Sequence, residues 1–218
     1  MVHVVSGTDP VALDRAAEAV AAGRVVALPT DTVYGLAVDP NQPEAVERLF
    51  ALKDRPKDVA LPILVGGAEQ IGLVAATLDA AAAHLAARFW PGPLTLVVPR
   101  RRGFIADLGG PASARHTVGV RWPDDAFVAA LCGRLGPLAV TSANLHGEAP
   151  AVSVADLSGA LVANDLLALI VDGGARTGAP STVVECRGPA SRGLREGAIP
   201  WAEVFASDGR KESIGGVS

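Results

Sequence analysis

The chain has 218 residues, of which 50% are hydrophobic and 19% charged, so it can bury a sizeable core and is not globally disordered. Its formal net charge of −4 disfavours a chain-wide attraction to nucleic acid or an anionic membrane, although a local basic groove remains compatible with it. The two cysteines, Cys132 and Cys186, are isolated, which excludes a disulfide framework and disfavours a zinc or redox motif. Because no signal peptide or bilayer-spanning stretch is visible, we expect a reduced cytoplasmic protein.

Short β-branched runs alternate with alanine-rich amphipathic stretches, a pattern typical of strands interleaved with helices. The first predicted helix is capped by Asp9, begins at Pro10 and ends before Gly23. The other predicted helices span 43–52, 68–75, 78–89, 124–133, 154–163 and 200–205. The predicted strands span 3–5, 24–28, 36–38, 61–65, 94–98, 117–122, 138–142, 167–171, 182–186 and 191–195, and a long loop covers 100–116.

This order of elements predicts the fold class. Helices do not separate every pair of strands, so the pattern favours a three-layer α/β fold (α+β type) with a twisted, mixed β-sheet over a strictly parallel one. No internal repeat or linker divides the chain, and we expect one domain over residues 1–206. The polar, glycine-containing stretch 207–218 is expected to be a disordered tail.

Several common catalytic motifs are absent from the sequence. It has no Walker A loop, no G-x-G-x-x-G after a strand, no H-E-x-x-H and no G-x-S-x-G, so the corresponding enzyme classes lose their main support. The four histidines are scattered, as is typical of structural or surface residues. Chemistry must therefore come from loops rich in hydroxyls, arginines and glycines.

Two such loops precede the middle of the chain. After the second strand, Thr30 and Thr32 offer hydroxyls and Gly35 allows close backbone approach, but the same hydroxyls could cap the next segment. Lys53 and Arg55, two apart at a helix end, could converge on one polyphosphate. The alternative is a solvated helix end whose cations complement the helix dipole.

Two further segments combine charge or hydroxyls with strand ends. Arg121 lies near the end of an apolar strand and needs a partner, which a ligand carboxylate, a phosphate or an internal aspartate would supply. Thr141, Ser142 and Asn144 could hold a ribose, a purine edge or a phosphate, or could form a capping turn. Ser181-Thr182 and Arg195-Glu196-Gly197 are weak signals individually.

Taken in order, these segments resemble the YrdC-like threonylcarbamoyl-AMP synthase family in its single-domain form. The matching stretches fall within about residues 25–197 and read LPTDTVYGLAVD, LKDRP, FWPGPLTLVV, VGVRWPDD, LAVTSANLHGEAP, STVVE and LREG. The resemblance implies a YrdC-like fold with a concave ligand-binding face and a nucleotidyltransferase activity. L-threonine, bicarbonate and ATP would give threonylcarbamoyl-adenylate and pyrophosphate. The product would pass to a separate transferase complex for threonylcarbamoyladenosine modification of tRNA.

The resemblance also implies site residues. The family's K-x-R and S-x-N signature gives the expected catalytic residues Lys53, Arg55, Ser142 and Asn144. The expected ATP-binding residues are Arg55, Val59, Thr117, Thr141, Ser142, Asn144, Pro150 and Arg195, and those for threonine are Thr32, Leu64, Arg121 and Ser181. Many relatives carry Asn and His where this chain has Val59 and Leu64. Mg²⁺ is expected with ATP, without a protein carboxylate set of its own.

Two other functions stay open at this point. One is a YrdC-like paralogue with another carbamoyl-adenylate substrate, such as the module of hydrogenase-maturation carbamoyltransferases. The other is a non-catalytic RNA-binding module, which the net charge disfavours. Pyrophosphate release that depends on a particular amino acid would identify the synthase, whereas salt-sensitive RNA binding would favour the module.

Overall fold

The computed structural model describes residues 2–176, 178–188 and 191–206. Its strands are β1 (His3–Ser6), β2 (Val25–Leu28), β3 (Gly35–Val38), β4 (Ile63–Leu64), β5 (Leu94–Pro99), β6 (Thr117–Arg121), β7 (Leu138–Ser142), β8 (Leu167–Asp172), β9 (Thr182–Cys186) and β10 (Ser191–Arg195). Its α-helices are α1 (Ala12–Ala21), α2 (Pro43–Lys53), α3 (Ala68–Val74), α4 (Ala80–Phe89), α5 (Ala126–Leu135), α6 (Gly159–Val162) and α7 (Trp201–Val204).

All ten of these strands form one mixed sheet. Their order is β1-β8-β2-β3-β7-β4-β6-β5-β9-β10. The pairs β1–β8, β2–β8, β4–β6 and β5–β9 are parallel, and the other neighbours are antiparallel. The expected mixed sheet is therefore confirmed.

Helices cover both faces of one half of the sheet. Alternate residues of β2 point to opposite sides, because successive side chains of a strand do so. Val25 and Ala27 join an apolar cluster that includes residues of α2, whereas Val26 and Leu28 join a second cluster with α1 and α5. Two helical layers therefore enclose the strands, which confirms the three-layer arrangement.

The other half of the sheet is packed on one face. In β5, Leu96 and Val98 are fully buried in the first cluster, together with residues of α4. The intervening Thr95 and Val97 point to the opposite face, where they line a cavity. The expected concave ligand-binding face thus lies on strands β6, β5, β9 and β10.

Several predicted elements differ from the structure. Helix α1 begins two residues later than expected, and Asp9 instead accepts a hydrogen bond from the Val11 amide at 3.0 Å. The predicted strand 61–65 is reduced to β4, because Leu61 donates its amide to the Leu108 carbonyl and Pro62 has no amide to donate.

The predicted helix 154–163 is also interrupted. A 3₁₀ turn covers Val154–Asp156, and α6 starts afresh at Gly159, where the Ser158 hydroxyl accepts from the Leu161 amide at 3.3 Å. The predicted loop 100–116 ends in a 3₁₀ helix, Ala112–His116. The expected tail, 207–218, lies outside the described residues. Within the described residues, none of the helices is long and apolar enough to cross a membrane.

Candidate active site

A cavity of about 610 Å³ lies over the open half of the sheet. Its floor comes from β5, β6 and β9, and its walls come from the loops around 29–35, 55–62 and 108–114. Among the described residues that line it, six are arginines and two are carboxylates: Arg55, Arg100, Arg121, Arg187, Arg192 and Arg195 against Asp58 and Glu185. The cavity is thus locally cationic in an acidic chain, which suits an anionic ligand.

Arg121 is held at one end of this cavity. The residue is 6% exposed, and its guanidinium donates from Nε to the Gly92 carbonyl at 3.1 Å, from Nη1 to Thr32 Oγ1 at 2.9 Å and from Nη2 to Asp31 Oδ1 at 2.5 Å. Burial lowers the pKa of Arg121, and Asp31 opposes that shift. The internal aspartate considered from sequence therefore exists. These three bonds use three of the five guanidinium donors, and Arg121 still lines the cavity.

In the threonine-rich loop, one hydroxyl caps the turn and another lies at the cavity. The buried Thr30 hydroxyl donates to the Val33 carbonyl at 2.7 Å and accepts from the Thr32 and Val33 amides at 3.2 and 3.3 Å. Thr30 thus shapes the turn. Thr32 is the residue that the turn presents to Arg121 and to the cavity.

Ser181 faces Arg121 across β5. Its hydroxyl forms a 2.8 Å hydrogen bond with Thr95 Oγ1, and both side chains are buried. Arg195 donates from Nη2 to the Ser181 carbonyl at 2.7 Å. The turn after Arg195 requires a glycine, because a Cβ on Gly197 would lie 2.2 Å from the Pro180 carbonyl oxygen.

Arg55 and Arg195 bring two cations to the same cavity. Burial lowers the pKa of Arg195, and the charge of Arg55 lowers it further. The Arg55 Nε is buried and makes no hydrogen bond within the described part of the chain. Two repelling guanidiniums, one with an unpaired buried donor, form an environment that a phosphate group would stabilise.

The Lys53 side chain, unlike that of Arg55, does not line the cavity. Lys53 is the last residue of α2, and Asp54 follows with a left-handed φ of 48°, which turns Arg55 away from the helix. Lys53 is 2% exposed, and its Nζ donates to the carbonyls of Ser142 and Asn144 at 2.5 and 2.7 Å and to Asn144 Oδ1 at 3.2 Å. Burial lowers the pKa of Lys53 to about 8, and Arg55 adds to that shift. The side chain holds the S-x-N segment and does not line the cavity.

The residues of the S-x-N segment also differ in whether they line the cavity. Ser142 and Thr141 line the cavity, as does Pro150 after the loop. Asn144 does not line it, because its Nδ2 donates to the carbonyls of Leu145 and Glu148 at 2.8 and 2.9 Å. In this structure Lys53 and Asn144 brace the loop, and their expected contacts with ATP stay predictions.

The remaining predicted residues all line the cavity. Thr117 donates its hydroxyl to the Ala114 carbonyl at 3.1 Å, and Val59 is exposed at the cavity wall. Leu64 is buried beside Arg121, since the two residues pair across β4 and β6. The structure thus places an apolar wall next to the Arg121 guanidinium.

Sequence reasoning missed several cavity residues. Thr95, Val97 and Glu185 alternate along β5 and β9, so a period-two reading of strands with one open face could have found them. Asp31 lies within the PTDTVYGL motif, which gives it no role of its own, and no sequence signal distinguishes Arg100 from its neighbours. Among the described residues, no group of three or more His, Cys, Asp or Glu could hold a metal ion.

Comparison with known proteins places the chain in a family. The Sua5/YciO/YrdC model, described as telomere recombination, matches residues 18–197. A Mycobacterium tuberculosis relative is 36% identical over 194 residues, 87% of each protein. A threonylcarbamoyl-AMP synthase of Chromohalobacter salexigens is 41% identical over 152 residues, 67% of this chain and 80% of that protein.

A solved structure supports the same placement. Sua5 of Pyrococcus abyssi, crystallised with L-threonine, superposes with a TM-score of 0.83 and 31% identity over 96% of this chain. The chain spans 61% of that longer structure, less than two thirds of it. The family model covers most of the sequence, and the cavity lies within the matched range. The chain therefore belongs to the Sua5/YciO/YrdC family.

Proposed function

We propose that the chain makes threonylcarbamoyl-adenylate and pyrophosphate from L-threonine, bicarbonate and ATP. Its curated relatives carry the name threonylcarbamoyl-AMP synthase, which is a nucleotidyltransferase activity. The observation that carries the proposal is that a single cavity contains both residues suited to an amino acid and residues suited to a nucleotide. Arg121, Thr32 and Ser181 lie at one end, and Arg55 and Ser142 line the same cavity.

Arg121 is the residue that would bind the threonine carboxylate. Two of its N–H donors remain beyond the bonds to Gly92, Thr32 and Asp31, and a carboxylate can accept both. The Thr32 and Ser181 hydroxyls would lie beside the amino acid. Leu64 would give it an apolar wall where many relatives have a histidine.

Arg55 and Arg195 are the residues that would bind the phosphates of ATP. Their charges oppose the build-up of negative charge on the leaving pyrophosphate. The nucleoside would contact Val59, Thr117, Thr141, Ser142 and Pro150, which line the cavity. Lys53 would contribute by fixing the carbonyl positions of the S-x-N segment.

The reaction needs no nucleophile from the protein. The amine of threonine adds to bicarbonate with loss of water and forms a carbamate. A carbamate oxygen then attacks the α-phosphorus, the bond to the β,γ-phosphates breaks, and pyrophosphate leaves. The protein contributes by holding the two substrates in reach and by neutralising charge.

Mg²⁺ would enter with ATP as part of the substrate. Mg²⁺ is commonly held by substrate phosphates and waters with few protein ligands, which fits a cavity with two carboxylates among its described lining residues. The product would pass to a separate tRNA-modifying transferase in the cytoplasm.

The decisive experiment is a pyrophosphate assay with Mg·ATP, bicarbonate and one amino acid at a time. We expect release to require both bicarbonate and threonine. Release with ATP alone, or equal release with serine and valine, would overturn the assignment. A paralogue would instead respond to a different carbamoyl donor or amino acid.

The two alternative functions have less support. For the paralogue, a solved HypF structure has 18% sequence identity to this chain and covers 85% of it. An identity this low supports a shared fold alone. An RNA-binding module would bind an RNA duplex with an affinity that falls steeply with salt, and it would release no pyrophosphate.

A further inference from the structure

Two ion pairs lie next to each other behind the amino-acid end of the cavity. Arg121 pairs with Asp31 at 2.5 Å, and Arg176 pairs with Asp125 at 3.4 Å. All four side chains are at least four-fifths buried. The carboxylates of Asp31 and Asp125 also lie within electrostatic range of each other, and Asp125 within range of Arg121.

Arg176 belongs to the loop that follows β8. Its amide donates to the Val152 carbonyl at 2.8 Å, its guanidinium carbon lies 6.0 Å from the centre of the Tyr34 ring, and Nη2 donates to the Gly173 carbonyl at 2.5 Å. Tyr34 fixes the same loop, because its hydroxyl accepts from the Gly173 amide at 3.0 Å and donates to the Gly174 carbonyl at 2.9 Å.

The loop is tied directly to the residues at the amino-acid end. The Gly178 amide donates to the Thr32 carbonyl at 3.1 Å, and Thr32 is the residue whose hydroxyl accepts from Arg121. The Asp125 carboxylate accepts from the Val128 amide at 3.0 Å and thereby caps α5. The loop that carries Arg176 therefore contacts Thr32 through Gly178, and the partner of Arg176, Asp125, acts electrostatically on Arg121.

The charges of the neighbouring aspartates indicate what Arg176 does. Two buried carboxylates, Asp31 and Asp125, compete for cations, and Arg121 is within range of both. If Asp125 lost its own cation, its charge would act on Arg121 and oppose the approach of a substrate carboxylate. A buried cation that neutralises Asp125 prevents this.

We propose that Arg176 is a positioning residue for amino-acid binding: by pairing with Asp125, it leaves the remaining donors of Arg121 to the carboxylate of the substrate. The inference rests on the proposed function, because it assumes that Arg121 binds an amino-acid carboxylate. It concerns Arg176 and Asp125, which do not line the cavity.

The test begins with Arg176→Met, which removes the charge and keeps most of the side-chain length. We expect the threonine KM to rise about tenfold, as for charges that couple by roughly one pKa unit, while kcat and the KM for ATP stay within about twofold. Arg176→Lys keeps the positive charge and should retain a threonine KM within about threefold of the unsubstituted protein.

A second substitution separates charge balance from loop placement. Adding Asp125→Asn to Arg176→Met removes the unbalanced carboxylate, while the amide oxygen can still cap α5. We expect this double variant to recover the threonine KM to within about threefold, since the two substitutions would be strongly non-additive. The control is Arg134→Met. Arg134 is an exposed arginine of α5, the helix that Asp125 caps, and it pairs with Asp14.

Each outcome decides the proposal. A threonine KM unchanged by Arg176→Met would overturn it. A raised KM that Asp125→Asn does not restore would also overturn it, because Arg176 would then act by holding the loop in place. If the unsubstituted protein releases pyrophosphate without threonine, both this inference and the proposed function are wrong. Circular dichroism confirms that each variant is folded, and Arg176→Gln, which also removes the charge, replaces Arg176→Met if that variant does not fold.

Discussion

The two halves of the sheet bury their faces differently. Strands β1, β8, β2, β3, β7 and β4 form the covered half, with apolar clusters on both faces. The ends of β3, β4 and β7 also reach the edge of the cavity. Strands β6, β5, β9 and β10 form the open half, with one face packed and the other lining the cavity. The difference shows how a single sheet provides both stability and a binding surface.

The side chains follow this division. In the covered half, β2 is apolar at every position, and each of its residues is fully buried. In the open half, β6 alternates Val118 and Val120, which join the packed apolar cluster, with Thr117, Gly119 and Arg121, which line the cavity. Residues of the open face are therefore available for ligands, while their neighbours one position away maintain the fold.

The largest expected effect tests whether a cavity residue acts in catalysis without supporting the fold. Arg55→Ala should reduce pyrophosphate release by roughly 30- to 1,000-fold, which corresponds to about 2–4 kcal/mol, typical of removing one preorganised donor. The thermal midpoint should hardly change, because Arg55 has a buried unpaired Nε and few bonds to lose. Arg102→Ala, a substitution of an exposed arginine in the loop that follows β5, is the control. A large loss of stability in Arg55→Ala would make this residue part of the scaffold.

Lys53, two residues before Arg55, should behave differently. Lys53→Met removes the donor of three hydrogen bonds to the Ser142 and Asn144 oxygens. The Ser142 carbonyl would keep the Asn144 amide as a donor, but the part-buried Asn144 oxygens would lose Lys53 as theirs, so we expect a loss of about 3 kcal/mol in the free energy of unfolding, together with lower activity. Urea unfolding measures the first quantity, and Lys57→Met, which changes an exposed lysine, is the control. If Lys53→Met lost activity at unchanged stability, the direct phosphate contact expected from the sequence would be the better explanation.

The contrast between these two cations also shows what sequence can predict. The strands 138–142, 182–186 and 191–195 were predicted at their observed bounds, because short apolar runs between turn residues define them. The Lys-x-Arg spacing did not predict which cation faces the cavity. That choice depends on the left-handed φ of Asp54, which non-glycine residues adopt rarely.

The contacts between distant segments of the chain are a second feature that the sequence could not predict in full. Thr32, Arg121 and Ser181 were grouped by resemblance, and the structure does bring them to one end of the cavity. The sequence did not predict that Asp31, Thr95 and Gly178 hold these residues in place. Such contacts depend on tertiary packing between separate loops, which neither periodicity nor residue spacing specifies.

The smallest expected effect compares two adjacent valines of β5. Val98 is fully buried in the packed face, whereas Val97 is partly exposed and lines the cavity. Val98→Ala should cost roughly 2 kcal/mol of unfolding free energy, from the lost burial of two methyl groups and the void that they leave. Val97→Ala deletes the same atoms but only widens a cavity that already exists, so we expect a loss below about 1 kcal/mol. Urea unfolding of the two variants measures both values, and KM for ATP and threonine should change only in Val97→Ala. Equal stability losses would show that the open face supports folding as much as the packed face does, and the division between the two halves would then be wrong.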